Sequence, residues 1–188
     1  MMKSDLLKGS LVRLAVDEPS VLAEAMVRWG GNSVYQRFLD TDPTCQFSVK
    51  KFTEWIQKDQ EKDPPAYYLF TIRTLVDDRL VGFTSLNGNT FPHGESFVGI
   101  GIGEPEFWGK GYGTDAMKVI LRYAFQELNL RRVALGTFEY NPRAIRSYEK
   151  AGFIHEGRTR KYLQREGRRW DLLFMGILRE EWHAGMDQ

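Results

Sequence analysis

The sequence predicts a mixed α/β domain, and two observations carry that prediction. Stretches with apolar residues at period two are interleaved with stretches at the helical period, in the order β-α-α-β-β-β-α-β-α-β-β. The chain has 188 residues, 42% hydrophobic and 27% charged, which is typical of one globular domain. No repeat or linker divides the sequence, so we expect a single domain over residues 1–188 with its core at about 11–182.

The first half of the chain predicts one strand, two helices and a hairpin. Residues 10–16 alternate as a strand, and apolar residues at helical spacing then continue to Trp29. Ser48 can cap a second helix, which ends before two prolines at 64 and 65. Residues 67–75 and 80–86 are rich in β-branched and aromatic residues, and the polar turn between them predicts a hairpin.

The next predicted strand, residues 97–103, has an unusual face. Gly99, Gly101 and Gly103 fall on the same side, which therefore carries no side chains. Because glycine normally weakens a strand, this spacing indicates that another backbone or a ligand lies close against it. Tight packing on a helix is the structural alternative, and the pattern does not choose between them.

The second half returns to the helical period. Apolar residues from Met117 to Leu128 recur at spacings of three and one, which predicts a helix from Thr114. A strand over 132–140 precedes a helix that begins with Asn141 and Pro142 and ends at Gly152. The chain closes with a predicted strand at about 153–163, a turn at Gly167 and a strand at 169–178.

Charge and composition point to no particular partner. Lys and Arg number 26 against 25 Asp and Glu, so the net charge of +1 gives no long-range attraction to nucleic acid or a membrane surface. The apolar stretches fall short of the roughly 20 residues of a membrane-spanning helix. Residues 1–5 precede no extended apolar region, so we expect no secretory signal and a cytoplasmic location.

Cysteine and histidine usage predicts neither a disulfide nor a metal site. Cys45 is the only cysteine, which excludes an intrachain disulfide and a thiolate metal site, and we expect it to behave as a small apolar side chain. The three histidines are widely separated and lack ligand spacing.

The first chemical motif lies between the glycine-faced strand and the helix that follows it. It is the loop Trp108-Gly109-Lys110-Gly111-Tyr112-Gly113-Thr114. A turn into a helix N-terminus presents unpaired amides and the positive end of the helix dipole, which hold phosphate oxygens. The glycines allow unusual backbone angles and remove side chains that would block a pyrophosphate. We therefore expect a polyanion site, although glycine-rich turns also occur without a ligand.

A second motif runs from Asn141 to Phe153, and the two together resemble the GNAT acetyltransferase superfamily. The loop follows the family pattern Arg/Gln-x-x-Gly-x-Gly/Ala, except that Trp108 stands in place of Arg or Gln. The helix matches Asn-x-x-Ala-x-x-x-Tyr-x-Lys-x-Gly-Phe at every fixed position. Flanking segments resemble the branch that acetylates N-terminal alanines of ribosomal proteins. The resemblance extends over about 11–182 and is strongest over 98–153.

The resemblance implies a fold and an acetyl donor. The fold is a mostly antiparallel sheet, flanked by helices, in which a central pair of parallel strands is splayed apart. The donor is acetyl-coenzyme A, with coenzyme A as the product, and its pantetheine arm would lie in the splay. The residues implied in binding it are Ile100, Gly101, Ile102, Trp108, Gly109, Lys110, Gly111, Tyr112, Gly113, Thr114 and Asn141. Asn141 is also a natural helix cap, and both roles are compatible.

The implied reaction is direct attack of a neutral primary amine on the thioester in a ternary complex. A backbone amide of the splayed strand would stabilise the developing oxyanion. Tyr148 would be the general acid that protonates the leaving thiolate. By position alone, Tyr148 is typical of a core tyrosine, because it follows Ala144 by four residues and Ile145 by three.

The general base has no assignment from the sequence. Relatives of this branch often carry a Glu where this chain has Phe97. Glu95, Glu104 and Glu139 are the nearest carboxylates along the chain, and none is favoured.

Three functions stay open, with amine N-acetylation first. The acceptor would be a protein N-terminus or a small-molecule amine, selected by residues 17–68. Aromatic residues in this part could line the acceptor pocket, although most are expected in the core: Trp29, Tyr35, Phe38, Trp55, Tyr67 and Tyr68. The alternative is a non-catalytic acyl-coenzyme A sensor, for which Phe97 is the support. Nucleic-acid binding is less expected, since the basic cluster on the terminal hairpin is more simply a solvated tip. The oligomeric state is open, with a homodimer as one option. The basic cluster consists of Arg158, Arg160, Lys161, Arg165, Arg168 and Arg169.

Overall fold

A computed structural model describes residues 5–184, the side chains of residues 89 and 90 excepted. Residues 1–4 lie outside this range. They belong to the segment 1–5, for which we expect no secretory signal. Seven strands form one sheet in the order β1-β2-β3-β4-β5-β7-β6. The strands are β1 Val12–Ala15, β2 Tyr67–Thr74, β3 Leu80–Asn87, β4 Glu95–Ile102, β5 Arg132–Phe138, β6 Ile154–Arg165 and β7 Arg168–Leu178.

The helices cover both faces of the sheet. They are α1 Pro19–Gly30, α2 Ser33–Leu39, α3 Val49–Gln60, α4 Tyr112–Gln126, α5 Pro142–Lys150 and α6 Arg179–Ala184, with short 3-10 helices at Gly88–His93 and Pro105–Phe107. The larger core lies between the sheet and α4, where Met117 and Ile120 are fully buried. A second core on the other face packs Trp29 of α1, Tyr35 of α2 and Ile56 of α3 against the strands. The predicted mixed α/β class is confirmed.

The central feature of the sheet is the pair β4 and β5, which separates along its length. These strands run parallel, and they pair only where Glu95–Phe97 meet Arg132–Ala134. Beyond this point β4 stays paired with β3 as far as Ile102, while β5 stays paired with β7 as far as Phe138. The two strands therefore diverge and open a wedge between them. Among the described residues, no strand pairs with the wedge-facing edge of β4 from Val98 to Ile102.

Side chains from the first two helices fill the glycine-bearing face at Gly101 and at Gly103, just after β4, whereas a Cβ at Gly99 would lie 3.2 Å from the Ser85 hydroxyl oxygen of β3. A Cβ at Gly103 would lie inside the indole of Trp29, and one at Gly101 would lie 2.6 Å from the hydroxyl oxygen of Tyr35. The packing alternative is therefore correct at Gly101 and Gly103. At these two positions α1 and α2 approach the strand closely enough to occupy the space, so packing accounts for the glycines there.

Two helices were not predicted. α2 has only seven residues, and the glycines at 30 and 31 before it resemble a simple break. Its start was marked by Asn32, whose side-chain oxygen accepts hydrogen bonds from the amides of Val34 (3.0 Å) and Tyr35 (3.2 Å). α6 continues directly from β7, and its Trp182 packs on Phe125 of α4.

Smaller differences concern single positions. α4 begins two residues earlier than predicted, at Tyr112. Cys45 is exposed between α2 and α3, so the expectation of a packed apolar side chain is wrong. No helix within residues 5–184 has the length and apolar character needed to cross a bilayer.

The terminal hairpin is fastened to α2 by Arg165. Its guanidinium donates to the carbonyl oxygens of Arg37 and Asp40 (2.7 Å to the latter) and to the hydroxyl of Tyr140 (2.8 Å). Within the same basic cluster, Arg168 stacks 4.0 Å from the centroid of Trp170. The cluster is thus partly structural, and the expectation of a simply solvated tip is wrong for Arg165.

Candidate active site

A cleft of about 260 Å³ lies where the wedge between β4 and β5 meets the start of α4 and one face of α5. Of the residues implied by sequence, those that line it are Ile100, Gly101, Ile102, Trp108, Gly109, Gly111, Gly113, Thr114, Asn141 and Tyr148. Lys110 and Tyr112 do not line it. Lys110 is exposed, and the Tyr112 ring packs on Phe107 with 4.9 Å between centroids.

The loop delivers the N-terminus of α4 to the cleft. Gly111 caps the helix in the left-handed region at φ 91°, and Gly109 lies there too at φ 74°. These two glycines are required by the backbone, since larger residues rarely adopt such angles. Gly113 does not have a positive φ, and a Cβ there would make only ordinary contacts, so the conformational argument fails at that position.

The first turn of α4 offers hydrogen-bond donors. Its first internal hydrogen bond runs from the Asp115 amide to the Gly111 carbonyl (2.9 Å). A helix leaves the amides before that bond without internal partners, and partial positive charge accumulates there. The Thr114 and Ser147 hydroxyl oxygens lie 2.8 Å apart and join this turn to α5. This end of the cleft is therefore suited to an anion.

Trp108 fixes the loop against the end of β4. Its indole Nε1 donates to the carbonyl oxygen of Ile102 (2.6 Å). The Arg143 guanidinium lies 4.1 Å from the centroid of the same ring, an arrangement that favours a cation–π interaction. Burial lowers the pKa of Arg143, and a guanidinium remains charged in proteins. A cation therefore lies beside position 108 although the family's Arg is absent there.

α5 presents a cationic face that was not recognised from the sequence. Arg143, Arg146 and Lys150 are spaced by three and four residues, so they share one side of the helix and line the cleft. No Asp, Glu or His is found among the cleft-lining residues in the described part of the chain. The helical spacing inside the Asn141 motif was the available signal.

Tyr148 takes part in both the core and the cleft. Its ring packs edge-on against Phe153 with 6.2 Å between centroids, and it also lines the cleft. Burial raises the pKa of Tyr148 to about 12, so the phenol is protonated at neutral pH. Asn141, which begins the same helix, accepts a hydrogen bond from the Ala144 amide (3.2 Å) and acts as its cap.

The three carboxylates considered as bases lie outside the cleft lining. Glu95 pairs with Arg132 (3.0 Å), and Glu139 accepts a hydrogen bond from the Asp171 amide (3.0 Å). Burial would raise the pKa of Glu104, but hydrogen bonds from Trp29 and Arg28 outweigh it and the pKa is lowered. The structure therefore assigns none of them as a base within the cleft.

The remaining wall of the cleft comes from α2. Tyr35, Phe38 and Leu39 line it from the face of the sheet opposite α5. Tyr35 and Phe38 are two of the aromatic residues that the sequence offered for an acceptor pocket, whereas Leu39 was not considered. Within residues 5–184, no three His, Cys, Asp or Glu side chains come together as a metal site.

The chain is similar in sequence to a family of known proteins. The model of the acetyltransferase (GNAT) domain matches residues 13–154. The N-acetyltransferase YokL of a Bacillus subtilis prophage is 29% identical over 134 residues, 71% of this chain and 73% of its own. YdaF of Bacillus subtilis, provisionally named a ribosomal N-acetyltransferase, is 35% identical over 110 residues, 58% of this chain and 60% of its own.

A solved structure shows the same fold. The spermidine N-acetyltransferase of Vibrio cholerae, in complex with coenzyme A and spermine, superposes with a TM-score of 0.80 at 24% identity. The superposition covers 92% of this chain and 98% of that one. Since the domain match includes the wedge, the loop and the whole of α5, the chain belongs to the GNAT acetyltransferase family.

Proposed function

We propose that this protein is an N-acetyltransferase that moves the acetyl group of acetyl-coenzyme A to a primary amine. One observation carries the proposal: a single cleft combines a helix N-terminus, a cationic helix face and a protonated Tyr148 at an opened sheet. The first two suit a long phosphorylated carrier, and the third suits a leaving thiolate.

The cleft lining fits the donor in charge and in backbone hydrogen bonding. The amides at the start of α4, with Arg143, Arg146 and Lys150 nearby, would hold its phosphates. The edge of β4 that faces the wedge offers, from Val98 to Ile102, peptide groups that no strand within residues 5–184 pairs with. Buried peptide groups need partners, and the amide groups of a pantetheine arm would supply them.

Tyr148 would act on the sulfur end of the bound donor. When bound, acetyl-coenzyme A supplies an acetyl carbon that the amine lone pair attacks, and the carbon–sulfur bond then breaks with its electron pair on sulfur. Tyr148 gives its phenolic proton to that sulfur and regains one from solvent, while the surplus proton of the amine goes to water. The hydrogen bond between Thr114 and Ser147 keeps the anion end and Tyr148 in a fixed relation.

The charge of the cleft bears on the acceptor. One fold neighbour binds spermine, which is a polycation. In this chain the cleft lining carries cations, and an adjacent groove lined by Arg37 and Arg165 has Glu166 as its one carboxylate, which is paired with Arg37 at 2.6 Å. Like charges repel, so we propose a protein N-terminus or a small amine with a single amino group as the acceptor, and not a polyamine that keeps further positive charges.

The test separates binding from transfer. Calorimetry with acetyl-coenzyme A should show binding, and thiol release should follow with at least one amine from a panel of peptides and small amines. Tyr148→Phe should lower kcat by about 100-fold or more while leaving donor affinity within about twofold. Tyr162→Phe, on an exposed part of β6, is the matched control and should behave as wild type.

Two results would contradict the proposal. Wild-type protein that binds the donor but releases no thiol with any amine would favour an acyl-coenzyme A sensor. Absence of donor binding would remove the basis of both functions.

A further inference from the structure

The hydroxyl of Tyr35 is buried without a hydrogen-bond partner among the described residues. The side chain belongs to α2 and is only 4% exposed. Leaving a buried hydroxyl unpaired costs about 1–3 kcal/mol, so such groups in folded proteins are seldom without purpose. The stability of the fold gains nothing from this hydroxyl, which directs attention to what it faces.

The hydroxyl faces the backbone of β4 at the wedge. A Cβ at Gly101 would lie 2.6 Å from the Tyr35 hydroxyl oxygen, so the absence of a side chain at 101 is what allows the approach. Both residues line the cleft. The ring is held from behind by Trp29, with 6.3 Å between centroids. The packing of α1 and α2 thus aims a polar atom at the strand along which the donor's arm would lie.

The Tyr35 hydroxyl can act chemically as a hydrogen-bond donor. Burial raises the pKa of Tyr35 far above that of an exposed tyrosine, so the phenol is neutral and cannot serve as a base. Tyr148 packs with the core on the α4 face of the sheet, whereas Tyr35 belongs to the core on the opposite face. The two phenols therefore approach the wedge from opposite sides, and they can serve different atoms of one bound group.

We propose that Tyr35 donates a hydrogen bond to the carbonyl oxygen of the bound acetyl thioester. This rests on the proposed function. The Tyr35 proton stays on its own oxygen throughout, and no bond to that oxygen forms or breaks. As the amine attacks, the π electron pair of the carbonyl moves onto its oxygen. A fixed hydrogen-bond donor beside that oxygen interacts more strongly with the growing negative charge than with the carbonyl oxygen of the ground state. Tyr35 thus acts on kcat more than on donor affinity.

The decisive measurement does not depend on turnover. Acetyl-coenzyme A labelled with carbon-13 at the carbonyl is bound to the protein, and the carbonyl stretch is recorded by difference infrared spectroscopy. Wild-type protein should lower the stretching frequency relative to free donor, and Tyr35→Phe should return it toward the free value. Incorporating 3-fluorotyrosine at position 35 keeps the hydroxyl and should preserve the low frequency. Tyr162→Phe should match wild type.

Kinetics and stability complete the test. Tyr35→Phe should lower kcat roughly 100-fold, with KM for donor and acceptor within about twofold. A purely structural Tyr35 predicts the reverse pattern, in which Tyr35→Phe alters the free energy of unfolding while kcat and carbonyl frequency stay at wild-type values. That pattern would overturn the inference.

Failure of this inference is distinguishable from failure of the proposed function. A bound donor whose carbonyl frequency is the same in wild type and Tyr35→Phe overturns the role of Tyr35 alone. A lowered frequency that Tyr35→Phe abolishes supports that role even when no amine is acetylated. Wild-type protein that binds no acetyl-coenzyme A overturns both.

Discussion

Gly103 shows how one position without a side chain sets the distance between a helix and a strand. The indole of Trp29 occupies the place where a Cβ would stand, and its Nε1 donates to Glu104 (3.0 Å) at the end of the same strand. The alternation of glycines was visible in the sequence. What fills their face was not, because Trp29 and Tyr35 come from helices some 70 residues earlier in the chain, and no local pattern links them to β4.

Gly103→Ala should therefore destabilise the fold. The added methyl group must displace Trp29, and overpacking of this kind costs about 1–3 kcal/mol in the free energy of unfolding. Gly157→Ala is the matched control, since a Cβ there meets nothing within 4 Å, and its effect should stay within about 1 kcal/mol. Urea denaturation monitored by tryptophan fluorescence measures both. Equal midpoints for the two variants would show that Trp29 adjusts freely.

Among the elements, α5 was predicted well and α2 was missed, for different reasons. α5 carries its own boundary signals, Asn141 with Pro142 at the start and Gly152 after the end. A helix as short as α2 depends on tertiary packing for its stability, so its apolar spacing alone is a weak guide. The missed helix supplies Tyr35, which the sequence offered for an acceptor pocket without a helix that placed it against the cleft.

The cationic face of α5 should contribute to donor affinity. Arg146→Gln and Lys150→Gln each remove a charge that lines the cleft, and each should weaken acetyl-coenzyme A binding about fivefold, or about 1 kcal/mol. Calorimetry at low and high salt measures the effect, which should shrink as salt screens the phosphates. Lys118→Gln, exposed on α4 away from the cleft, is the control. Losses that are equal for all three variants would point to overall charge and not to this face.

For the molecule as a whole, the distribution of charge determines how the reaction depends on pH. The cleft lining in the described part of the chain holds no carboxylate or histidine, and under the proposed function we therefore expect the amine to arrive already neutral. The sequence indicated the lack of a base at Phe97, where relatives of the resembled branch often carry a Glu. The sequence could not show that the other carboxylates lie outside the cleft, because the positions of Glu95, Glu104 and Glu139 depend on ion pairs and hydrogen bonds between distant segments.

The value of kcat/KM should rise about tenfold per pH unit up to the pKa of the free acceptor amine. Tyr148, with its pKa raised to about 12, stays protonated over this range and imposes no earlier fall. A peptide N-terminus with a pKa near 8 should therefore reach its plateau about two units below an alkylamine with a pKa near 10. Rate profiles for the two acceptors measure the difference. A shared midpoint for both would reveal a base on the protein.

The short pairing between β4 and β5 also concerns the cohesion of the sheet. Within residues 5–184, strand-to-strand hydrogen bonds join β1–β4 to β5–β7 only over Glu95–Phe97, and a common apolar core joins the two halves on the α4 side. A molecule bound in the gap would contact both halves of the sheet and hold them together reversibly. Its free energy of binding would then add to the resistance of the whole domain to unfolding, in proportion to the logarithm of its concentration once the site is saturated.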